Sequence, residues 1–335
     1  MIKIAINGFG RIGRIFFRQA FEHKGIDIVA VNDLGSPENL AYLLKYDTVY
    51  GRYDKKIEAK DEALIVDGKE IQVCQEKDPA ALPWGKLGID IVIESTGFFE
   101  TADKARGHID AGAKRVVITA PAKDDITPTA TPNVGIQTLG SSKITSNASC
   151  TTNATNPVVA IMMNSVGVKK ALLSTVHGYT ATQNLVDGPG KKDDFRRGRS
   201  AAQNIVPSTT GAAKATVRVI PELEGKFDGI ALRVPVLSGS LIDFTFLAAR
   251  PTTVDEINDI FRKAADSAEW KDILTATDEQ LVSSDILGQP YGSIVDLALT
   301  RVVDGDLVKV FAWYDNEWGY CAMLLKHIQE VLKLL

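Results

Sequence analysis

A glycine-rich motif near the N-terminus is the feature that most constrains the fold of this chain. A strand pattern at residues 2–6 runs into Asn7-Gly-Phe-Gly-Arg-Ile-Gly13, and a helix pattern continues to about His23. This is the G-x-G-x-x-G pattern in its required context of strand, tight turn and helix. Gly8 permits the turn, Gly10 lets a pyrophosphate approach the backbone, and Gly13 allows close packing of the helix on the strand. The motif predicts a Rossmann-type sheet that binds a dinucleotide.

An acidic residue after the second predicted strand indicates which dinucleotide is bound. The strand pattern from Ile26 to Val31 is followed by Asn32 and Asp33, and Asp33 lies twenty residues after Gly13. An acid at this spacing accepts hydrogen bonds from the ribose hydroxyls of NAD. Because its charge also repels a 2′-phosphate, we expect NAD rather than NADP as the cofactor.

The remaining patterns predict an α/β protein with two domains. Strand patterns at 89–93 and 115–119 enclose a helix pattern at 101–113, which predicts a doubly wound parallel sheet. Beyond Cys150, strand patterns without regular helical crossovers predict an α+β catalytic domain with a mostly antiparallel sheet. We predict domains of residues 1–149 and 150–315, with the C-terminal helix of 316–335 returning to the first domain.

Composition excludes several classes of protein. The chain has 335 residues and a net charge of -4, so nothing indicates nucleic-acid binding. It has no apolar run of transmembrane length, and Met1 leads directly into a strand pattern without a signal peptide. Its three cysteines are too widely separated for a disulfide framework or a metal site. We therefore expect a cytoplasmic protein that binds no metal, membrane or nucleic acid.

Cys150 is the first candidate for a catalytic side chain. It lies in Ser146-Asn-Ala-Ser-Cys-Thr-Thr-Asn153, directly before an apolar run with a helical pattern. A thiol at a helix N-terminus is near unsatisfied N–H groups and the positive end of the helix dipole, and both favour the thiolate. The alternative is a buried structural cysteine, which is the usual role of a free cysteine.

His177 ends a predicted strand, and residues with hydroxyl groups follow it in a loop. A histidine in this position is more often structural than catalytic, but Thr180 and Thr182 point to a ligand site. The loop from Asp187 to Arg199 contains five basic and three acidic residues. It is either an oligomer contact, a solvated loop, or a ligand-side loop whose arginines bind an anion. Arg233 lies in an otherwise apolar strand and needs a partner, for which a phosphate would serve.

Four segments together resemble the phosphorylating glyceraldehyde-3-phosphate dehydrogenase family. These are Asn7-Gly-Phe-Gly-Arg-Ile-Gly13, Ser146-Asn-Ala-Ser-Cys-Thr-Thr-Asn153, Ser208-Thr-Thr-Gly-Ala-Ala-Lys214 and Trp313-Tyr-Asp-Asn-Glu-Trp-Gly319. They occur in the family's order over essentially the whole chain. The resemblance implies a glycolytic homotetramer that converts glyceraldehyde 3-phosphate, NAD and inorganic phosphate into 1,3-bisphosphoglycerate.

The resemblance also implies roles for individual residues. Cys150 matches the nucleophile, which forms a thiohemiacetal and then a thioester, and His177 matches its base. The positions that match NAD contacts, besides the motif glycines, are Arg11, Ile12, Asp33, Lys77, Thr119 and Asn316. Two groups can supply the phosphate sites: Thr180, Thr182, Arg197 and Arg233 in one, and Ser149, Thr151, Thr210 and Gly211 in the other.

The chain departs from the family pattern at three places. Ala154 replaces a second cysteine, Lys77 replaces a common arginine, and the basic loop is one residue longer than usual. The longer loop makes Arg196 an alternative to Arg197.

Three other functions compete with this one. Erythrose-4-phosphate dehydrogenase uses the same nucleophile without phosphate, and an NAD-sensing scaffold would have an unreactive cysteine. A cysteine hydrolase would have no use for the dinucleotide motif.

Overall fold

The glycine motif adopts the arrangement of strand, turn and helix that the sequence predicts. The computed structural model describes residues 1–190 and 194–335, so two lysines and one aspartate of the basic loop lie outside the described residues. The first strand pairs in parallel with the next, and the helix between them buries Ile15, Phe16 and Phe17. This is the βαβ unit expected of a dinucleotide-binding fold.

The described chain divides into two compact units. The first unit consists of Met1–Ala130, Ile136–Ala148 and Leu324–Leu335. The second consists of Thr131–Gly135 and Ser149–Met323.

The first unit is built on a mostly parallel sheet. Its strands and helices are β1 (Ile2–Asn7), α1 (Arg11–Ala20), β2 (Ile26–Asn32), α2 (Pro37–Lys45), β3 (Tyr46–Asp47), β4 (Gly51–Arg52), β5 (Ile57–Lys60), β6 (Ala63–Val66), β7 (Lys69–Cys74), α3 (Trp84–Leu87), β8 (Ile91–Glu94), α4 (Ala102–Asp110), β9 (Arg115–Ile118) and β10 (Ile144–Ser146). The sheet order is β10-β9-β8-β1-β2-β7-β6-β5. In this sheet the β5–β6 and β6–β7 pairs are antiparallel, and the other pairs are parallel. The strand order reverses between β1 and β8, and such a switch point is where open α/β sheets bind ligands.

The hairpin between β6 and β7 turns at Asp67-Gly68. Both residues have positive φ, 47° and 83°. A two-residue turn of this kind matches the twist of the flanking strands, which explains why the pair of residues identifies a hairpin in the sequence.

The second unit contains a mixed sheet with helices on one face. Its strands and helices are α5 (Cys150–Ser165), β11 (Val168–Gly178), β12 (Val206–Thr209), α6 (Ala212–Val219), β13 (Phe227–Val234), β14 (Ser240–Ala248), α7 (Val254–Asp266), β15 (Leu274–Thr277), β16 (Ser293–Val303) and β17 (Leu307–Tyr314). The sheet order is β12-β13-β11-β14-β17-β16-β15. Strands β11 and β13 pair in parallel, as do β15 and β16, and the other pairs are antiparallel.

The chain ends in helix α8 (Trp318–Leu332), which lies within the C-terminal segment 316–335 predicted to contain a helix. From Leu324 onward the chain belongs to the first unit, where His327 Nε2 lies 3.1 Å from the hydroxyl of Thr145. Leu324, Ile328 and Val331 are fully buried there. Within the described ranges, no helix is both long and apolar enough to cross a membrane.

Candidate active site

A cavity of about 850 Å³ lies at the carboxyl ends of β1, β2 and β8 in the first unit. Among the predicted cofactor residues, Gly8, Gly10, Asp33 and Lys77 line it. Its walls include Leu34, Phe98 and Phe99, which offer apolar surface to a planar ring. A cavity of this volume, mostly apolar with a few polar groups, suits a large organic cofactor.

Each of the three motif glycines has the surroundings that its predicted role requires. Gly8 has a φ of +89°, and a Cβ there would lie 2.7 Å from the backbone nitrogen of Thr96. A Cβ at Gly13 would lie 2.2 Å from the carbonyl oxygen of Gly8, so helix and strand pack too closely for a side chain. At Gly10, by contrast, a Cβ would meet nothing within 4 Å. The backbone at Gly10 is therefore open to a ligand, and α1 has no side-chain cap there.

Asp33 ends the second strand and presents its carboxylate at the cavity. Its oxygens accept hydrogen bonds from the backbone N–H groups of Phe9 at 2.8 Å and Gly35 at 3.0 Å. A carboxylate has about four lone pairs, so acceptor capacity remains for two ribose hydroxyls. The residues present therefore fit NAD, and the negative charge opposes a phosphate at the same place.

Other predicted cofactor residues have protein partners. The guanidinium of Arg11 pairs with Asp47 and lies over the ring of Tyr50. The Thr119 hydroxyl donates to the carbonyl of Glu94 at 3.1 Å. Arg11 and Ile12 form the first turn of α1, where a contact to a phosphate would come from the backbone.

Cys150 is the first residue of helix α5, as the sequence predicts. Ser149 caps this helix by accepting a hydrogen bond from the Thr152 N–H at 3.0 Å. The sulfur of Cys150 lies 3.4 Å from Nε2 of His177, which stands near the end of β11. The two candidate catalytic side chains are therefore in direct contact, as required of a nucleophile and its base.

The protonation of this pair differs from the sequence expectation of a stabilised thiolate. Burial raises the pKa of the Cys150 thiol, although the charge of Arg233 and the Thr151 N–H lower it. Burial and the charge of Arg233 together lower the pKa of His177 to about 3. Both shifts favour the neutral thiol and the neutral imidazole over the ion pair. The helix start favours the anion, but desolvation outweighs it.

The second ring nitrogen of His177 has two competing neighbours. Nδ1 lies 2.6 Å from the carbonyl oxygen of Gly178, which only accepts, and 2.5 Å from Nη1 of Arg233, which only donates. A proton on Nδ1 leaves the Nε2 lone pair facing the thiol, and this is the tautomer able to act as a base. A lone pair on Nδ1 instead places the proton on Nε2, toward the sulfur.

Among the predicted anion residues of the first group, Arg233 contacts this histidine directly. Arg233 pairs with His177 across β13 and β11, and the charge of Arg197 contributes to the lowered pKa of Arg233 after the effect of burial. Arg197 donates to the Ser208 hydroxyl at 2.8 Å and pairs with Asp194, whereas Arg196 is exposed. The hydroxyls of Thr180 and Thr182 are 2.9 Å apart.

The second group lies at the starts of two packed helices, α5 and α6. Thr210 accepts a hydrogen bond from the Ala212 N–H at 3.2 Å, and a Cβ at Gly211 would meet nothing within 4 Å. Thr151, however, is buried, and its hydroxyl lies 2.9 Å from that of Tyr314. An anion here would therefore meet backbone donors rather than the Thr151 hydroxyl.

Comparison with known proteins decides the family. Residues 2–102 match the family model described as glyceraldehyde 3-phosphate dehydrogenase, NAD binding domain, and residues 149–316 match the model of its C-terminal domain. The chain belongs to the glyceraldehyde-3-phosphate dehydrogenase family.

Relatives from distant organisms agree over the full length. The glyceraldehyde-3-phosphate dehydrogenase of Borreliella burgdorferi is 48% identical over 99% of this chain and 100% of its own. That of Streptomyces coelicolor is 50% identical, over 97% and 96% of the two chains. Glyceraldehyde-3-phosphate dehydrogenase 1 of Kluyveromyces lactis is 47% identical, over 99% and 100%. NAD is accordingly the cofactor of the first unit.

Two features of this family member were not predicted from the sequence. The buried hydroxyl of Tyr314 lies between those of Thr151 and Thr175, at 2.9 and 2.8 Å, and its ring meets His177 edge-on. It thereby joins α5 to β11 behind the catalytic pair. Tyr314 stands inside the Trp-Tyr-Asp-Asn segment that carries the resemblance, which is the signal that could have identified it.

The predicted cofactor residue Asn316 is held by groups that the sequence analysis did not single out. Its Oδ1 accepts hydrogen bonds from the Gly239 N–H at 3.0 Å and the Ser240 hydroxyl at 2.9 Å. These donors orient the amide, because its oxygen must face them and its nitrogen must face away.

Proposed function

We propose that this protein oxidises glyceraldehyde 3-phosphate with NAD and inorganic phosphate to 1,3-bisphosphoglycerate, in glycolysis and gluconeogenesis. The observation that carries the proposal is the 3.4 Å contact between Cys150 sulfur and His177 Nε2 in a chain of this family. Bound NAD supplies the acceptor for the hydride of the aldehyde.

Cys150 attacks the aldehyde carbon while His177 Nε2 takes the thiol proton. His177 then returns this proton to the carbonyl oxygen, which completes the thiohemiacetal. As the hydride leaves, His177 removes the hydroxyl proton and a thioester remains on Cys150. Inorganic phosphate attacks the thioester carbon, the bond to sulfur breaks, and the acyl phosphate is released. His177 returns the second proton to the Cys150 sulfur, and the proton of the incoming phosphate passes to solvent. His177 therefore acts as base twice and as acid twice.

The position of Arg233 links substrate binding to the basicity of His177. Its guanidinium is 2.5 Å from Nδ1, where its positive charge opposes protonation of the imidazole. A substrate phosphate paired with Arg233 would offset that charge and raise the proton affinity of His177. We therefore assign the phosphate of the aldehyde to Arg233, Thr180, Thr182 and Arg197.

Arg197 is a better candidate than the exposed Arg196 for binding this phosphate, because the charge of Arg197 acts on Arg233. We assign the attacking phosphate to the group of Ser149, Thr151, Thr210 and Gly211, with Thr151 acting through its backbone. Asn316, with its amide oriented by β14 and the preceding turn, is assigned to the carboxamide of NAD.

We also propose that the protein is a cytoplasmic homotetramer. One face of the second unit's sheet exposes Leu172, Ile230 and Leu307. Leu185, just before the basic loop, and Phe195, within it, are also exposed. Exposed apolar side chains grouped in this way are typical of subunit interfaces. The free Cys74, Cys150 and Cys321 suit a reducing compartment.

The decisive assay measures NADH formation from glyceraldehyde 3-phosphate with and without inorganic phosphate, and with NADP in parallel. We expect activity that requires phosphate and prefers NAD. A rate independent of phosphate, with erythrose 4-phosphate as the better substrate, would instead support the alternative dehydrogenase. NAD binding without turnover of either aldehyde would support an NAD-sensing scaffold.

A further inference from the structure

A buried polar cluster lies behind the wall of the cofactor cavity. We call Trp84, Glu94, His108 and Asn7, together with Thr96, the Glu94 cluster. Trp84 and His108 are completely buried, and Asn7 and Glu94 are only 1% and 2% exposed. Asn7 and Thr96 line the cavity, whereas the other three members do not. A buried carboxylate is costly unless it is fully hydrogen-bonded, so the contacts of Glu94 require an explanation.

The indole of Trp84 determines the tautomer of His108. Its Nε1–H can only donate, and it lies 3.0 Å from Nδ1 of His108. Nδ1 must therefore carry a lone pair, and the ring proton must be on Nε2. Nε2 lies 3.0 Å from Oε2 of Glu94, so His108 donates to the carboxylate. A neutral histidine with one fixed proton thus supports the buried charge.

Glu94 in turn receives donors from both sides. Oε2 also accepts from Nδ2 of Asn7 at 2.6 Å, and Oε1 accepts from the N–H and hydroxyl of Thr96 at 2.8 and 2.5 Å. The carboxylate thus has four donors, which match its capacity. It links the end of β1 to the loop after β8 on both sides of the switch point.

The cluster extends into the residues that face the cofactor. Oδ1 of Asn7 accepts from Nδ2 of Asn32 at 2.6 Å, and the Thr96 hydroxyl accepts from the Phe98 N–H at 3.1 Å. The turn at Gly8 depends on the same placement, because Thr96 stands directly against it. Three segments of the cavity wall, at Asn7, Asn32 and Thr96, are therefore oriented through one carboxylate.

We propose that Glu94 and His108 are positioning residues for NAD. Glu94 holds the ends of β1 and β8 at the separation that the dinucleotide needs, and His108, oriented by Trp84, keeps the carboxylate satisfied. Groups that support a binding site in this way affect affinity without touching the ligand. The inference rests on the proposed use of this cavity for NAD.

The test compares the affinity of three purified full-length variants for NAD by calorimetry. Glu94→Gln keeps the shape of the side chain but replaces one acceptor oxygen with an NH2 group. That group then faces hydrogen-bond donors of the Glu94 cluster. We expect the Kd for NAD to rise about tenfold, the usual effect of an unsatisfied buried group. His108→Leu should have a similar effect because Glu94 loses a donor. His108→Gln keeps an N–H where Nε2–H stands, and its Kd should stay within about threefold of the unmodified protein's.

A matched control separates positioning from general destabilisation. Val92→Ala removes volume from the same strand, β8, at a fully buried site outside the Glu94 cluster. It should lower the melting temperature without raising the Kd for NAD. In all four variants, iodoacetamide should still alkylate Cys150 in the absence of NAD at the unmodified rate.

The NAD affinities of the variants distinguish a positioning role from general destabilisation. An unchanged Kd in Glu94→Gln and His108→Leu overturns the positioning role, and so does an equal rise in Val92→Ala. If His108→Leu is insoluble, the comparison of Glu94→Gln with Val92→Ala decides alone. Failure of the unmodified protein to bind NAD would refute the proposed function itself.

Discussion

At the scale of single residues, Arg233 affects the pKa values of both candidate catalytic groups. Its charge lowers the pKa of Cys150, against the larger effect of burial, and it also lowers the pKa of His177. One fixed cation thus favours a thiolate and disfavours an imidazolium. Cys150 donates the proton and His177 accepts it, so removing the charge of Arg233 should change the pKa values of both groups.

We predict that Arg233→Gln shifts the alkylation of Cys150 to higher pH. Loss of the positive charge removes a factor that lowers the thiol pKa, so less thiolate forms at a given pH. The measurement is the rate of inactivation by iodoacetamide as a function of pH. Arg196→Gln removes an exposed charge from the neighbouring loop and should leave the profile unchanged. A shift of equal size in both variants would contradict the role of Arg233.

We predict that Cys150→Ser lowers NADH formation by about 10³-fold or more while NAD still binds. A serine hydroxyl does not ionise readily, and loss of a covalent nucleophile typically removes most of the catalysis. Steady-state rates and NAD calorimetry test both parts. Cys321→Ala, which changes a buried cysteine of the second unit, should retain activity. Full turnover by Cys150→Ser would refute the nucleophile.

The carboxylate of Asp33 should determine the choice between NAD and NADP. In Asp33→Asn the repulsion of a 2′-phosphate is lost while one acceptor oxygen stays. We expect the ratio of kcat/KM for NAD over NADP to fall by about tenfold. Asp47→Asn changes an acid of the same unit that does not line the cavity and serves as the comparison. An unchanged ratio in Asp33→Asn would assign selectivity elsewhere.

At the scale of elements, the C-terminal helix contains a buried histidine that makes stability depend on pH. Burial lowers the pKa of His327 to about 4 from an ordinary 6.5. The folded state therefore disfavours the charged form, and the stabilisation is complete above pH 6.5 and is lost as the pH falls through about 4. Protonation costs up to about 3 kcal/mol over this range, at about 1.4 kcal/mol per pKa unit.

We predict that His327→Gln flattens the loss of stability between pH 6.5 and 4. Urea unfolding at several pH values measures the change, and His23→Gln is the matched variant in the same unit. Part of the slope should remain, because His177 is also buried and its pKa is also lowered. A His327→Gln slope equal to that of the unmodified protein would exclude the helix as the source.

Comparison of the predicted and observed elements shows which of them local sequence patterns identify. The first βαβ unit was predicted because glycine positions and apolar spacing are local signals. Strand β12, Val206–Thr209, was not predicted from the sequence. It contains Pro207 and forms only by pairing with β13 at the edge of the sheet, which is where proline is tolerated in a strand.

At the scale of the whole molecule, we expect the exposed apolar face of the second unit's sheet to form a subunit interface. A charge placed on the exposed apolar face of the second sheet should oppose subunit contact, since an unpaired charge is costly to bury. We predict that Leu172→Asp, at a side chain that is 66% exposed, yields particles smaller than a tetramer. Light scattering after size-exclusion chromatography measures the mass. Val282→Asp, also exposed but in a loop, should remain a tetramer, and a tetramer in both variants would place the interface elsewhere.

The amino-acid sequence alone determined the dinucleotide-binding fold, the family resemblance and the choice of Cys150 and His177 as candidates. These inferences follow from residue types at fixed spacings within short segments of the sequence. The tertiary structure decided that sulfur and imidazole touch, that burial raises the pKa of the thiol, and that Glu94 accepts a hydrogen bond from a His108 ring oriented by Trp84. Desolvation and hydrogen-bond satisfaction depend on groups brought together from distant segments, so no local pattern contains them.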